Sequence, residues 1–127
     1  MFVSDYMSAS PITVRSEDNY DLAFEIMEEK NMHHLPVVNQ ENHVVGIVTR
    51  RDLQLAARYF REAPAEISEV MHTPVLTTSG SASLSSAVKQ MTDHRIGCLP
   101  VVGNDSNVEG MLTESDLFRA LSDLLDS

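Results

Sequence analysis

The sequence predicts an α/β (α+β) fold made of two β-α-β-β-α repeats, residues 1–64 and 65–127, packed sheet to sheet as one pseudo-two-fold module. Two observations support this. The chain of 127 residues matches itself when its second half is laid over its first. Each half also alternates short β-prone runs with segments of helical period. A repeat of about 60 residues buries little surface alone, so we expect the two copies to cover each other's sheets.

The internal duplication is visible in matched positions. From Tyr20 onward the two copies align at a constant offset of 64 residues, whereas Pro11 matches Pro74 one residue out of that register. So many matches in one register indicate a duplication rather than chance. The matched pairs include Leu35-Pro36-Val37-Val38 with Leu99-Pro100-Val101-Val102, Gly46 with Gly110, Thr49 with Thr113, and Asp52 with Asp116.

Each repeat begins with a short strand and a helix. The β-prone runs "ITV" (12–14) and "VLT" (75–77) follow a proline and predict the first strand. Asn19 and Ser83 are the predicted N-caps of the next helix. In that helix the apolar residues recur at i, i+3, i+4 and i+7, which makes one apolar face. They are Tyr20, Ala23, Phe24 and Met27 in the first copy and Leu84, Ala87, Val88 and Met91 in the second.

A hairpin and a second helix complete each repeat. The apolar run "LPVV", a polar connection ("NQEN" or "GNDSN") and a second run ("HVVGIVT" or "VEGMLT") predict two paired strands. After Thr49 and Thr113 the helical period returns. Its apolar positions are Leu53, Ala56, Ala57 and Phe60 in the first copy and Leu117, Ala120, Leu121 and Leu124 in the second. We expect Pro64 to end the first copy's second helix.

The charge and the single cysteine limit the class of protein. Nine Lys and Arg stand against 19 Asp and Glu, for a net charge of −10. Binding to nucleic acid and to anionic membranes draws on clustered cations, so neither partner is expected. The chain has no apolar run long enough to span a bilayer and opens without a basic leader. Because Cys98 has no second cysteine to pair with, a cytoplasmic location is expected.

The ordered and duplicated set of motifs resembles a tandem pair of cystathionine-β-synthase (CBS) domains. The residues that carry the resemblance are a Pro before a short strand, a helix, "HHLPVV" or "GCLPVV", and "VGIVTRRD" or "EGMLTESD" before a closing helix. It covers nearly the whole chain, and with no partner domain in the sequence we expect a stand-alone CBS pair. The opening "MFVSDYMSASPITV" and "HHLPVV" are also similar, more weakly, to the N-terminal CBS pair of acetoin-utilization proteins.

The resemblance implies a regulatory module that senses AMP, ADP, ATP or S-adenosylmethionine in clefts between the repeats, with no other cofactor required. It also implies a homodimer and a regulated enzyme or transporter as partner. The alternative is an interaction or dimerisation scaffold without a nucleotide, which the acidic second copy with Glu114 favours. Catalysis is not expected, because the sequence has neither a P-loop nor a dinucleotide-binding fingerprint. Cys98, in the apolar run "IGCLPVV", is expected to be buried and inert.

Thr49 and Asp52 are the central candidate binding residues of the first copy. A Thr followed three residues later by an acid at a helix start predicts a capping box. The resemblance implies in addition that the Asp accepts hydrogen bonds from ribose hydroxyls and that the Thr hydroxyl contacts a phosphate. The two roles are compatible, since the positive end of a helix favours phosphate.

Four basic residues are candidates for the phosphate groups of the ligand. Arg50 and Arg51 follow Thr49, and an Arg can pair with phosphate in a bidentate way, although both could be solvated surface charges. By the resemblance, His33 and His34 also line the phosphates; the alternative for both is a surface or packing role. No metal site is expected at this His pair, because zinc needs three or four ligands and no Cys or carboxylate cluster completes the set.

By the resemblance, the adenine ring is expected beside Pro11, Ile12 and Thr13, and near Gly46, whose lack of a side chain would let a ring approach the strand; the alternative for the apolar residues is a place in the core. The second copy has a weaker site. There Glu114 and Ser115 replace the Arg pair, and Gly97 and Cys98 replace the His pair, so its capacity for phosphate is lower. Its candidate residues are Pro74, Val75, Arg95, Gly110, Thr113 and Asp116.

Overall fold

The computed structural model describes residues 1–9, 11–59 and 65–127. In these ranges the chain has a mixed α+β fold with two three-stranded sheets and four α-helices, as predicted. In chain order the elements are β1 (Ser8–Ala9), β2 (Val14–Arg15), α1 (Tyr20–Lys30), β3 (His34–Val38), β4 (Val44–Thr49), α2 (Arg50–Tyr59), α3 (Leu84–His94), β5 (Cys98–Val102), β6 (Val108–Thr113) and α4 (Glu114–Leu125), with 3₁₀ turns at Val3–Asp5 and Ile67–Glu69.

The chain forms two compact units, which we name by their motif aspartates. The Asp52 unit is Ile12–Val75, and the Asp116 unit joins Met1–Pro11 to Leu76–Ser127. Each repeat therefore gives its first eleven residues to the unit built from the rest of the other repeat. The repeat boundary after residue 64 stays a prediction, and the predictions for Phe60 and Pro64 lie outside the described residues.

The Asp52 unit has the predicted β-α-β-β-α order. Its sheet runs β2-β3-β4, with β2 parallel and β4 antiparallel to β3. The first strand is Val14–Arg15, two residues later than predicted. The predicted N-cap is confirmed, because the Asn19 side chain accepts the Asp21 N–H at 2.9 Å. Helix α1 ends at Asn31, whose φ of 52° is the left-handed conformation typical of a helix end.

The core of the Asp52 unit lies between its helices and one face of its sheet. The buried residues of α1 are Tyr20, Ala23 and Met27, three of the four predicted positions. A large apolar side chain that is fully buried stabilises the fold by about 1.5–3 kcal/mol. These residues pack with Leu35, Val37, Val48, Leu53 and Ala56, and with Ala65 and Ile67 from the arm of residues 65–75.

The Asp116 unit repeats this plan with one difference. Its sheet runs β1-β6-β5, so β1 supplies the third strand by pairing antiparallel with β6. The strand predicted at 75–77 is not formed; only Thr78 makes a single parallel bridge, with Val101, because the chain turns at Gly80 and Ser81 directly afterwards. The Ser83 hydroxyl accepts the Ser86 N–H at 3.1 Å, which confirms that N-cap.

The helices of the Asp116 unit bury only part of their predicted apolar faces. Leu84, Ala87 and Met91 of α3 and Ala120 of α4 are buried in the core of this unit. By contrast, several apolar side chains of the same two helices are exposed, namely Val88, Phe118, Leu121, Leu124 and Leu125. Within the described ranges, every helix is too short or too polar to cross a bilayer.

Candidate functional site

The junction between β4 and α2 gathers the first-copy motif residues in the Asp52 unit. The antiparallel register of β3 and β4 places His34 opposite Thr49, the last residue of β4. Arg50 begins α2 at the next position, and its N–H donates to the His33 carbonyl at 2.9 Å. The His pair, Thr49 and the positive end of α2 therefore lie at one edge of the sheet.

Thr49 and Asp52 form the capping box that the sequence predicts. The Thr49 N–H donates to Asp52 Oδ2 at 2.9 Å, and the Asp52 N–H donates to Thr49 Oγ1 at 3.1 Å. This exchange satisfies two backbone donors that the first turn of a helix would otherwise leave unpaired. It also commits one carboxylate oxygen of Asp52 to the fold and leaves Oδ1 for another partner.

His72, which sequence reasoning missed, occupies that second oxygen. Its Nε2 lies 2.8 Å from Asp52 Oδ1, and the ring nitrogen donates because an ionised carboxylate only accepts. Two backbone hydrogen bonds with Ile47, of 2.8 and 3.2 Å, hold the His72 backbone against the edge of β4. The His72 side chain is 68% exposed and that of Asp52 only 14%. A surface side chain therefore lies over a carboxylate that is mostly buried.

Gly46 is explained by the same arm. A Cβ at this position would lie 2.7 Å from Met71 Sδ and 3.0 Å from the His72 carbonyl oxygen. In the Asp116 unit a Cβ on Gly110 would lie 2.7 Å from the Ser8 carbonyl oxygen and 2.8 Å from Met7 Sδ. Each glycine thus admits the arm of residues that packs against its own strand, β4 or β6. An adenine ring over Gly46 stays a prediction.

The two arginines of the first copy lie in different environments. Arg50 Nη2 donates to the carbonyls of Met27 at 2.9 Å and Met32 at 3.1 Å, at the end of α1. Cations are favoured there, because the last carbonyls of a helix lack intrahelical partners. The Arg50 Nε is buried without a hydrogen-bond partner among the described residues. Arg51 is exposed, so it is the cation of the pair that a phosphate can reach.

The remaining first-copy candidates are divided between the units. Ile12 is exposed and Thr13 half-buried, directly before β2, whereas Pro11 belongs to the Asp116 unit. His33 is exposed and His34 half-buried. The structure therefore brings the His pair, Thr49 and Asp52 together at the β3–β4–α2 edge of one unit, whereas the Arg50 side chain reaches the end of α1.

In the Asp116 unit an arginine takes the place that His72 has on Asp52. Asp116 Oδ2 accepts the Thr113 N–H at 2.8 Å and the Thr113 hydroxyl at 3.3 Å. Arg119 Nη2 lies 2.7 Å from Asp116 Oδ1 and donates also to the Tyr6 carbonyl at 2.8 Å. The guanidinium carbon is 5.9 Å from the centre of the Tyr6 ring, within the range of a cation–π contact. Asp116 is thus buried and paired with a permanent charge.

The other second-copy candidates are dispersed. Arg95 ends α3 at a φ of 54°, and with Glu114 it lines a groove of about 310 Å³ between α3 and α4. Pro74 and Val75 belong to the Asp52 unit. In the residues that the structure describes, no group of three or more His, Cys, Asp and Glu side chains is placed to hold a metal ion.

Cys98 is buried at the start of β5. Burial, with a smaller effect of the nearby Glu114 carboxylate, raises the pKa of its thiol to about 12. The thiolate is the reactive form, so this cysteine is chemically inert near neutral pH, in agreement with the sequence analysis.

Proteins similar to this chain include CBS domain proteins and longer enzymes. A protein of Dictyostelium discoideum named as a CBS domain-containing protein is 28% identical, covering 99% of this chain and 94% of its own. A homoserine O-acetyltransferase of Methanococcoides burtonii is 32% identical over 94% of this chain. The match is 24% of that enzyme's length, so the chain spans about a quarter of the enzymes it matches.

Two solved structures have the same fold. The CBS domain pair of protein MJ0100, in complex with 5′-methylthioadenosine and S-adenosyl-L-methionine, has a TM-score of 0.86 and 29% identity, covering 95% of this chain and 99% of its own. A structure from Vibrio cholerae assigned as an acetoin utilization protein (AcuB) has a TM-score of 0.83 and 33% identity, covering 99% and 93%. The CBS domain family model matches residues 3–58 and 67–123. The chain therefore belongs to the CBS domain family.

Proposed function

We propose that this chain is a regulatory module that binds an adenosyl ligand, either an adenine nucleotide or S-adenosylmethionine, in the Asp52 unit. The observation that carries the proposal is the position of Asp52: its carboxylate is mostly buried at the N-terminus of α2, with one oxygen fixed by Thr49 and the other facing an exposed side chain. A ribose diol supplies two hydroxyl donors to such a carboxylate. The complex of the MJ0100 pair with two adenosyl ligands supports this ligand class.

The charges around Asp52 favour a ligand with phosphate. The backbone N–H groups at the start of α2 carry the positive end of the helix, and Arg51 is the exposed cation beside them. In this proposal Thr49, Arg51, His33 and His34 contact the phosphate groups. Arg51 would repel the sulfonium of S-adenosylmethionine, so AMP, ADP or ATP is the better fit.

The adenine ring is assigned to the apolar residues before β2. Ile12 and Thr13, which follow Pro11 in the chain, are the residues of the Asp52 unit proposed to contact it, since Met71 and the His72 carbonyl take the space that Gly46 leaves. In this proposal Pro74, Val75, Arg95, Gly110, Thr113 and Asp116 form at most a weaker second site, and Glu114 at its helix start disfavours phosphate there.

A thermal-shift series with AMP, ADP, ATP, S-adenosylmethionine and 5′-methylthioadenosine tests the proposal. A ligand that binds only the folded chain at a hundredfold excess over its Kd stabilises it by ~2.7 kcal/mol. For a chain of this size the midpoint then rises by about 8–13 °C. We expect the largest shift with a phosphate-bearing ligand and a shift of about half that size or less in Asp52→Asn. If no ligand moves the midpoint of the wild type, the proposal is wrong.

A specific observation also favours dimerisation as a second function. The exposed side chains of α4 include Phe118, which is 67% exposed, and α3 and α4 line an apolar groove of about 630 Å³. Contiguous exposed apolar surface of this kind marks an association site. We propose a homodimer through this face, with or without a ligand. Light scattering should give twice the chain mass for the wild type and one chain mass for Phe118→Asp; a monomeric wild type would refute the dimer.

The proposed partner is an enzyme or transporter whose activity the bound ligand changes. The relatives named as enzymes are about four times longer than the match, which supports a regulatory rather than a catalytic role for this part. A cytoplasmic location is part of the proposal, because Cys98 is the sole cysteine and its thiol is buried.

A further inference from the structure

Each motif aspartate already has both carboxylate oxygens occupied by groups of the chain. In both units Oδ2 accepts the N–H of the preceding motif threonine, at 2.9 Å in the Asp52 unit and 2.8 Å in the Asp116 unit. In both units Oδ1 is the oxygen that makes no hydrogen bond to the motif threonine. An internal donor lies on that oxygen, His72 at 2.8 Å on Asp52 and Arg119 at 2.7 Å on Asp116.

The two donors differ in how firmly they are held. The His72 ring is 68% exposed, and among the described residues its side chain hydrogen-bonds to Asp52 alone. Its backbone is fixed to Ile47, but rotation about the side-chain bonds releases the ring without moving the arm. A hydrogen bond from an exposed imidazole is weak, because water replaces it. His72 is therefore a displaceable cover over Asp52.

Arg119 is a more firmly held cover over Asp116, although its side chain is 62% exposed and so differs from His72 in its contacts and charge rather than in exposure. Its guanidinium is always charged, and it bonds Asp116 and the Tyr6 carbonyl while it lies 5.9 Å from the Tyr6 ring centre. Tyr6 is held in turn by a 2.6 Å hydrogen bond from its hydroxyl to Asp123. The Asp116 side chain is 7% exposed. A ligand that binds this carboxylate must therefore displace Arg119, which also contacts the Tyr6 carbonyl and the Tyr6 ring.

We infer that His72 competes with the ribose for Asp52, that Arg119 closes Asp116 to ribose, and that the chain consequently binds one adenosyl ligand rather than two. This inference rests on the proposed function. It assigns the choice between two identical Thr-x-x-Asp motifs to residues outside both motifs. His72 lies in the arm of residues 65–75, and Arg119 lies three residues after Asp116 on α4.

Isothermal titration with AMP tests both parts. We expect one AMP per wild-type chain, and an affinity for AMP about 3–10-fold higher in His72→Ala, since one weak competing hydrogen bond is removed. Ser8→Ala is the matched control, because Ser8 holds the position equivalent to His72 in the other unit and its side chain makes no hydrogen bond to Asp116 among the described residues. Its affinity for AMP should equal that of the wild type.

A ribose readout separates competition from a general effect on folding. With 2′-deoxy-AMP, which lacks one of the two competing hydroxyls, the gain in His72→Ala should shrink. An equal gain with both nucleotides, an unchanged affinity or a weaker one would overturn the role of His72.

Arg119→Met should raise the stoichiometry from one AMP to two, provided that circular dichroism shows a native fold. Should this variant unfold, Arg119→Gln gives the second reading, since Gln keeps an N–H donor but loses the charge that holds Asp116. Two AMP per wild-type chain, or one AMP in every folded Arg119 variant, would overturn the closure of Asp116. Absence of binding by all proteins would overturn the proposed function and this inference together, whereas AMP binding with a wrong variant response overturns the inference alone.

Discussion

Replacing Gly46 by Ala should loosen the arm of residues 65–75 from β4. A Cβ there would lie 2.7 Å from Met71 Sδ and 3.0 Å from the His72 carbonyl oxygen. The first contact is to a flexible side chain, but the second is to backbone that is hydrogen-bonded to Ile47 and cannot move alone. Crowding of this kind costs about 1–3 kcal/mol, so we expect Gly46→Ala to lower the free energy of unfolding by that amount.

Urea unfolding followed by circular dichroism measures this change. Gly80→Ala is the matched control, because its Cβ would meet only the Ser4 Cβ at 3.4 Å, an ordinary contact, and the position does not have a positive φ. That substitution should leave the free energy of unfolding unchanged or raise it by up to about 1 kcal/mol. Met71→Ala in the Gly46→Ala background should not recover the loss, because the contact with the His72 carbonyl remains. An unchanged urea midpoint in Gly46→Ala would show that the arm does not pack on β4 as described.

Two further predictions concern the pair of arginines at the start of α2 and the buried Cys98. Arg50→Met should lower the free energy of unfolding by about 1–3 kcal/mol, because it removes the hydrogen bonds to the Met27 and Met32 carbonyls. Arg51→Met should change the free energy of unfolding by less than about 0.5 kcal/mol and should weaken AMP binding. Equal urea midpoints for the two variants would contradict the prediction for Arg50. Cys98 should react with Ellman's reagent at pH 8 more than about 10³-fold slower in the native chain than in guanidinium, since burial raises the pKa of the thiol to about 12 and keeps it protonated. Rapid reaction of the folded chain would show that the thiol is accessible and ionised.

The element order, the caps and the capping motifs follow from local sequence pattern. Asn19 and Ser83 cap α1 and α3 because a short polar side chain at a helix start satisfies free N–H groups wherever the helix lies. The Thr49–Asp52 exchange is equally local, since it spans one helical turn. The duplication adds a check, because the same pattern has to predict both copies.

The partners of the long polar side chains could not be predicted, because they depend on tertiary packing. Arg50 reaches carbonyls more than 15 residues away in the sequence, and His72 reaches back 20 residues to Asp52. The arms of residues 1–11 and 65–75 attach by backbone hydrogen bonds, which leave no mark in the side-chain pattern. The one available signal was the pair Gly46 and Gly110, two glycines within strands, which indicate close backbone approach but not of which segment.

The predicted first strand of the second copy failed for a related reason. β-Propensity placed a strand at 75–77, but strand formation needs a free edge and enough extended chain to pair with it. Thr78 reaches the edge of β5 for a single bridge with Val101 before the chain turns at Gly80. The sequence pattern alone does not show how much of the β5 edge is free to pair with this segment.

Isothermal titration of Asp52→Asn with AMP, beside Asp116→Asn, tests whether Asp52 holds the ribose. The amide in Asp52→Asn keeps an oxygen for the Thr49 N–H but loses the charge and the second acceptor, so a ribose held by Asp52 should bind at least about tenfold more weakly. Asp116→Asn should bind AMP as the wild type does, because Arg119 already covers that carboxylate. Wild-type affinity in Asp52→Asn, or a loss confined to Asp116→Asn, would show that Asp52 does not hold the ribose.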